Sequence, residues 1–419
     1  MLTVDEAVAR ILVDVPRMPA ESVPLRGARG RVLAADLIAR IDVPSFDNSA
    51  MDGYAVRAVD TRGTTPENPV VLRLVGTVAA GAVGPGIGPG EAAAVMTGAP
   101  IPEGADAVVM VEDTDGSRSG TVAIRVACPV GRHCRRRGAD VAAGTTVLIS
   151  GTRLSPARLG VAASIGQATL AVTRRPVISV LSTGDELVEP GSPLGAGQIY
   201  SSNNAALTAL IEEAGGAARD HGTAPDDLDA TIAALEAAIE GADAVLTTGG
   251  VSVGAFDYVK EAHARLGAEM DFWRVRMKPG KPLAFGRVRR AGRVVPLFGL
   301  PGNPVSCLVN FAQFVRPWIR SAQGDPRPFL PVVSGVAVDD FRDTPGRARL
   351  DRVVLTRSPA GIEVRSAGSQ SSGVLSALAA AHGLLLVGAD QAGPRPGEPC
   401  RVQVLDPGFW DGTGPDYRW

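Results

Sequence analysis

From Arg175 to Gln323 short apolar runs and helical periods alternate, and no other feature restricts the chain as much. PVISVLST (176–183) is an apolar run that ends in a Thr-Gly turn. Asn204 to Ala214 then carries Leu207, Leu210, Ile211 and Ala214 at helical spacing. Asp226 to Glu240 repeats the pattern with Leu228, Ile232, Leu235 and Ile239, and Asp226 or its neighbour stands where an N-cap belongs. ADAVLTTGG (242–250) is a buried strand running into a glycine turn; Asp257 to Leu266 is helical. RVVPLFGLPGNP (293–304) is a further strand and turn, and Pro304 to Ala322 reads as one long helix. Alternation of this kind builds a parallel sheet covered by helices, with right-handed crossovers.

The rest of the chain has other textures. Residues 1–22 read as an amphipathic helix, with Val4, Ala7, Val8, Ile11 and Leu12 on one face and Pro16 and Pro19 ending it. From about Pro44 to Gly138 short β-type runs such as VVLRLVGTV and TVAIRVA are split by Gly and Pro turns, which predicts a separate β-rich domain. The mixed pieces 23–43 and 139–173 flank it and are expected to pair with each other. From about Pro328 to Asp406 short strands return, predicting a small C-terminal β-barrel or sandwich. The expected division is 1–22 with 174–326 as the α/β domain, 23–43 with 139–173 as a small mixed linker domain, 44–138, 327–406, and a tail over 407–419. No period of 20–50 residues repeats, which sets aside a solenoid.

Composition narrows the function. Lys+Arg 42 against Asp+Glu 44 leaves a net charge of -2, so no global field favours nucleic acid or an anionic membrane. Aromatics at 4% give no base-stacking platform. Any anion must be held locally. Cys128, Cys134, Cys307 and Cys400 form no C-x-x-C pair, a reducing-compartment pattern. Cys128, His133 and Cys134 lie close together but match no zinc spacing. The N-terminus lacks an apolar signal core, and the longest charge-free stretch is broken by Gly and Pro, so a soluble cytoplasmic protein is expected.

Open parallel sheets bind ligands beyond the carboxyl ends of their strands. Three loops fall there: Ser182-Thr183-Gly184-Asp185-Glu186, Thr247-Thr248-Gly249-Gly250-Val251-Ser252-Val253-Gly254, and Gly299-Leu300-Pro301-Gly302-Asn303-Pro304. Glycines let backbone N–H groups approach a phosphate and hydroxyls add donors. One such loop alone is more often a tight turn; three at one sheet edge favour a phosphate-bearing ligand. G-x-G-x-x-G is absent at the first strand–helix turn, which disfavours a dinucleotide. Lys278 and Lys281 flank a Pro-Gly turn, and strand alternation would put Arg274 and Arg276 on the face of Lys278, suited to neutralising a dianion. Asp185, Glu186, Asp226 and Asp257 lie near the same strand ends. Each alone reads equally as a site acid or as a helix cap or surface charge. Acids and phosphates in one cleft repel unless a cation intervenes, which argues for Mg²⁺ held by one or two of these acids beside the phosphates. DVPSFDNSAMDGYAVR (42–57), with Asp47 and Asp52, and MTGAPIPEGADAVVM (96–110) are turn-rich but name no ligand, and Arg135-Arg136-Arg137, which could bind an oxyanion, is as an isolated run more often solvated.

Seven segments, PSFDNSAMDGYAVR, MTGAPIPEGADAVVM, RRRGAD, LSTGDELVEPGSPLGAGQIYSSN, TTGGVSVGAFDYVK, MKPGKPLAFG and GLPGNPVS, together resemble the molybdopterin molybdenumtransferases, the MoeA and gephyrin E-domain family, in family order over nearly the whole chain. The resemblance implies a molybdopterin-binding α/β fold in a four-part subunit, and an L-shaped homodimer. The cleft would lie between the α/β domain of one subunit and the β-rich domain of its partner. The implied reaction converts adenylylated molybdopterin and molybdate to molybdenum cofactor with release of AMP. It implies that Asp52, Thr97 and Asp140 act from the β-rich part, and Glu186, Asp226, Asp257, Lys278 and Lys281 from the α/β domain. Pro301 and Pro304 would shape the pterin loop, and Ser372 and Arg347 would approach from the C-terminal domain. Two positions depart from the family pattern: Arg274 replaces a frequent Lys, and Ser201 replaces a frequent Asp. The upstream adenylyltransferase and downstream molybdoenzyme chaperones are the implied protein partners. A molybdopterin adenylyltransferase is the nearest rival, although such chains usually lack the NSAMDGYA region. A receptor-clustering scaffold or a non-catalytic pterin binder are rivals of another class. The intact acids and lysines count against the binder, and the lack of a long linker or second α/β domain against the scaffold.

Overall fold

The central sheet has six strands: β1 (Val177–Thr183), β2 (Ala217–Ala224), β3 (Ala244–Thr248), β4 (Glu269–Arg274), β5 (Pro282–Arg290) and β6 (Arg293–Leu300), in the order β2-β1-β3-β6-β5-β4. It belongs to a computed structural model that describes residues 1–116, 120–250, 258–359 and 361–411. The chain divides into two units. One comprises 1–21, 30–34 and 172 onward, and the other 22–29 and 35–171.

In the first unit, β1, β3 and β6 run parallel, as the alternation predicts, and β2, whose polar sequence gave no strand signal, adds to them in parallel at the edge. The sheet as a whole is mixed, because β5 runs antiparallel to both β6 and β4. This corrects the all-parallel expectation. The cause is a two-residue hairpin at Ala291 (φ 48) and Gly292 (φ 74), both left-handed, as a type I′ turn demands. Alanine at the first of these positions gives a weak turn signal, so the strand before it was not expected.

The central strands β1, β3 and most of β6 are buried on both faces, which is why they read as continuous apolar runs. Ile178, Val180, Leu246, Phe285 and Phe298 face one layer with Ala7 and Ile11, Leu207 and Trp318. Leu181, Val245, Val288 and Leu297 face the other with Leu235, Ile239 and Ala262. The result is a three-layer α/β domain. Its first helix spans only Val4–Leu12, started by a Thr3–Glu6 capping box, and Ala20–Pro24 is a strand. The segment 304–322 is helical throughout, but Phe311–Val315 is a π-turn ahead of Pro317, which has no N–H to donate.

FWRVRM is not one strand. β4 ends at Arg274, and Met277–Lys278 pairs in parallel with Ala348–Arg349 of the C-terminal sheet. There Ala348–Ser358, Gly361–Ser366, Val332–Ala337, Pro399–Val404 and Gly383–Val387 pair in turn, and the last closes on the first. That closure makes a five-stranded barrel, removing the sheet edges.

In the second unit, Ala107–Met110, Gly53–Val56, Glu91–Val95, Val70–Val78 and Thr121–Ile124 form a five-stranded sheet. Leu37–Ile38 pairs with Thr146–Leu148, and Val43 with Val141, joining the two flanking pieces.

Candidate active site

The three glycine loops leave the carboxyl ends of β1, β3 and β6, which are adjacent in the sheet, and they touch. Gly249 (φ +90) donates its N–H to the Leu300 carbonyl at 3.3 Å, and a Cβ on it would stand 2.6 Å from the Thr183 carbonyl oxygen. Gly250 (φ +60) leaves no more room, since a Cβ would meet Val259 at 2.4 Å. Gly302 lies over Gly249, whose Cα would be 3.7 Å from an added Cβ. At Gly249 and Gly250 glycine is needed for both backbone angle and closeness.

Asn203 ties two loops together. Its amide nitrogen donates to the Thr248 hydroxyl and to the Gly302 carbonyl, each at 2.8 Å, while its Oδ1 is buried without a partner. Sequence reasoning passed over this residue; it is the second residue of a helix (Ser202–Glu213), and nothing in its spacing marks it. The Thr248 hydroxyl donates onward to the Pro301 carbonyl at 3.3 Å. Ser182 is fully buried and its hydroxyl donates to Asn204, so it braces the loop and offers no free donor, contrary to the sequence expectation; Thr183 is buried too. Ser372 meets the pterin-loop candidate directly: Asn303 donates to its hydroxyl at 3.2 Å and Val305 N–H to its carbonyl at 3.1 Å. Pro304 opens the helix after that loop.

The acids at this edge divide by task. Asp227 caps the helix Leu228–Ile239, accepting from Ala230 N–H at 2.8 Å. Asp226 is thereby spared capping; its own N–H donates to Asp185 Oδ1 at 3.1 Å. Glu186 is exposed, and its carboxylate lies over Gly184, where a Cβ would stand 2.4 Å from Oε2. Ser252, Gly254 and Asp257 lie outside the described residues. Among the described residues no three His, Cys, Asp or Glu side chains are gathered as a metal group.

The cations are arranged differently from the expected single face. Arg274 closes β4 opposite Pro282, so it and Lys281 sit at the same sheet edge as the loops. Neither has an ion-pair partner among the described residues. Arg276 turns away, donating to the Gly346 carbonyl at 2.7 Å and lying 3.3 Å from Asp390, because the chain has left β4 for the C-terminal sheet. Lys278 pairs with Asp343 at 2.8 Å, and that lysine, then the Thr344 N–H, holds the Asp343 carboxyl below its usual range. Arg347 is exposed in the same stretch.

In the second unit Asp52 and Thr97 meet, with Thr97 N–H donating to Asp52 Oδ1 at 2.6 Å. Asp140 is exposed, its N–H bound to the Val43 carbonyl at 3.0 Å. The arginine run is occupied: Arg136 pairs with Asp47 at 2.6 Å and Arg137 with Asp42 at 2.5 Å. Backbone N–H groups of Arg137 and Ala143, then these guanidiniums, lower the two carboxyls. Arg136 and Arg137 are thus each engaged by an aspartate, although both side chains stay exposed.

A three-layer α/β domain with converging glycine turns, half-free carboxylates and unpaired cations at one edge defines a protein built to hold a phosphate-bearing ligand. Residues 2–166 match the MoeA N-terminal region (domain I and II), 179–321 the probable molybdopterin binding domain, and 334–405 the MoeA C-terminal region (domain IV). The chain is 46% identical over 370 residues to molybdopterin molybdenumtransferase 2 of Mycobacterium tuberculosis H37Rv, covering 87% of this chain and 90% of that one. It is 38% identical to the molybdopterin molybdenumtransferase of Haemophilus influenzae, covering 97% and 99%. The crystal structure of the molybdopterin biosynthesis MoeA protein of Pyrococcus horikoshii OT3 superposes with a TM-score of 0.82 at 30% identity, covering 97% and 100%. The chain belongs to the molybdopterin molybdenumtransferase (MoeA) family, transferases of molybdenum-cofactor biosynthesis. Among the described residues no helix is long and apolar enough to cross a membrane.

Proposed function

We propose that this chain inserts molybdenum from molybdate into adenylylated molybdopterin and releases AMP. The observation that carries the reading is the meeting of the three loops through Gly249, Gly302 and Asn203 beside unpaired Lys281 and Arg274. The pterin and its phosphates would lie on Thr183, Gly184, Gly249, Gly250, Pro301, Gly302, Asn303 and Pro304, with Ser372 closing one side. Lys281, Arg274 and the Asp343-held Lys278 would draw in molybdate, itself a substrate, and stabilise charge that develops on the phosphoryl oxygens. A molybdate oxygen, or a water, attacks the adenylyl phosphorus; the anhydride P–O bond breaks, so that AMP departs carrying that oxygen and the pterin keeps its phosphate. The two dithiolene sulfurs then bind molybdenum as Mo–O bonds break and the oxygen leaves as water with the thiol protons.

The donor chemistry here fits Mg²⁺. Glu186 and Asp226 are hard carboxylate donors with no other side-chain partner among the described residues, and Mg²⁺ takes one or two protein carboxylates beside substrate phosphates. Asp257 completes the proposed set. When bound, the ion supplies Lewis-acid polarisation of the pyrophosphate. We further propose a cytoplasmic homodimer of four-part subunits, in which Asp52, Thr97 and Asp140 of one subunit and Arg347 of the C-terminal part complete the cleft. The upstream adenylyltransferase and downstream molybdoenzyme chaperones would be its transient partners.

The test is AMP release by the purified protein given adenylylated molybdopterin, Mg²⁺ and low-micromolar molybdate. Release that depends on molybdate supports the reading. Adenylylated pterin made from ATP and molybdopterin would instead identify an adenylyltransferase, and tight pterin binding with neither reaction a carrier.

A further inference from the structure

The opposite, amino-terminal edge of the central sheet holds a cavity of about 1000 Å³ that the reaction above does not use. Its walls carry five arginines, Arg174, Arg219, Arg287, Arg289 and Arg293, against two acids, Asp14 and Asp243. The strand register explains why they gather. Arg287 and Arg289 lie on the same face of β5 as Phe285, and β5 turns back into β6 at Arg290 and Arg293. From the Ala284–Gly299 pair at the loop edge to the Arg289–Val294 pair is five residues of strand, roughly 17 Å. One diphosphate cannot span both edges.

The arginines are held in place, and not all are neutralised. Asp243 is nearly fully buried and accepts from Arg174 at 2.9 Å, from Arg293 at 2.5 Å and from Val177 N–H at 2.7 Å, so one carboxylate orients two guanidiniums. Arg287 stacks over Phe285, 4.8 Å from the ring centroid, and donates to the Arg10 carbonyl at 3.1 Å. Among the described residues Arg219 reaches only a backbone carbonyl, that of Glu240 at 3.4 Å. Arg289 has no side-chain partner among the described residues. Beside them run apolar walls from Val13, Val294 and Pro296.

We propose that this cavity is a second ligand site, which takes an organic diphosphate such as a nucleoside diphosphate. Planar guanidiniums match phosphate oxygens in pairs. The excess of five arginines over two acids is three positive charges, which offset the roughly three negative charges of a nucleoside diphosphate at neutral pH, more than a single carboxylate or phosphate supplies. The apolar walls take the organic part.

Isothermal titration of the full-length protein with ADP, and separately with inorganic pyrophosphate, tests this. Arg289→Glu and Arg219→Glu should each weaken ADP binding by about tenfold or more, leave AMP release from adenylylated molybdopterin unchanged, and leave the thermal melt unchanged. Lys281→Ala, at the other edge, should leave this binding intact. ADP binding tighter than pyrophosphate assigns the apolar walls to the organic group; equal binding restricts the site to the phosphates. Binding lost only in Lys281→Ala would place the diphosphate in the active site and overturn the proposal. So would absence of binding, or binding of an oligoglutamate peptide in place of either diphosphate.

Discussion

At the level of single side chains, the two carboxylates Asp226 and Asp227 show how neighbours divide work. Asp227 satisfies the helix N-terminus, so Asp226 is left for the cleft. Asp226→Ala should cut AMP release by about a hundredfold or more with an unchanged melting curve. Asp227→Ala should instead cost about 1 kcal/mol of stability and spare most activity, as urea titration and the AMP assay would report together. Asp243 is a different case. Removing it leaves Arg174 and Arg293 without their shared acceptor, and Arg293 is half-exposed. Asp243→Ala should therefore lose about 2–3 kcal/mol in urea denaturation, below the ~3–5 kcal/mol of a fully buried pair.

Among the elements, the β3 turn and the helix beyond it are the most sensitive. Gly249→Ala would push a methyl into the Thr183 carbonyl at a left-handed φ. It should lose about 1–3 kcal/mol of stability and weaken pterin binding, both measurable by denaturation and fluorescence titration. The helix Tyr258–Arg265 carries His263, fully buried with neither ring nitrogen bonded. Burial pushes its pKa down from 6.5 to about 4. The unfolded histidine takes a proton near pH 6.5 and the folded one resists until about 4, so the unfolded state binds more protons between those values. Stability from this group is complete above pH 6.5 and falls as the pH drops towards 4. His263→Leu should flatten that part of the stability–pH curve; an unchanged slope would contradict the assignment.

For the molecule as a whole, the proposed cleft shared between subunits has a quantitative consequence. Asp52→Ala and Asp226→Ala damage opposite sides of it. Two inactive homodimers, unfolded and refolded together, would exchange subunits, and each heterodimer would hold one intact cleft. The mixture should recover about a quarter of wild-type AMP release, from half the dimers each with one working site. No recovery would mean that each cleft is built within one subunit.

Much of this was readable from local pattern. Three of the parallel strands, β1, β3 and β6, with their helices and the loops at their ends, follow from apolar runs and periods, because strands buried on both faces read as apolar runs; the edge strand β2, with Arg219, Asp220 and His221 in it, carries no such run. The pairing of 23–43 with 139–173, and a small C-terminal β-fold, followed from texture. What local pattern does not carry is which long-range partner a group meets. Arg276 leaves the face of Lys278 because Met277–Lys278 is captured by a strand some seventy residues on. Asn203 enters the site through contacts with Thr248 and Gly302, and Arg136 and Arg137 are claimed by Asp47 and Asp42. Local propensity and burial period belong to a few neighbouring residues and are written in their order. Pairing of charges and convergence of loops depend on distances that exist only once the sheet has brought separate segments to one edge.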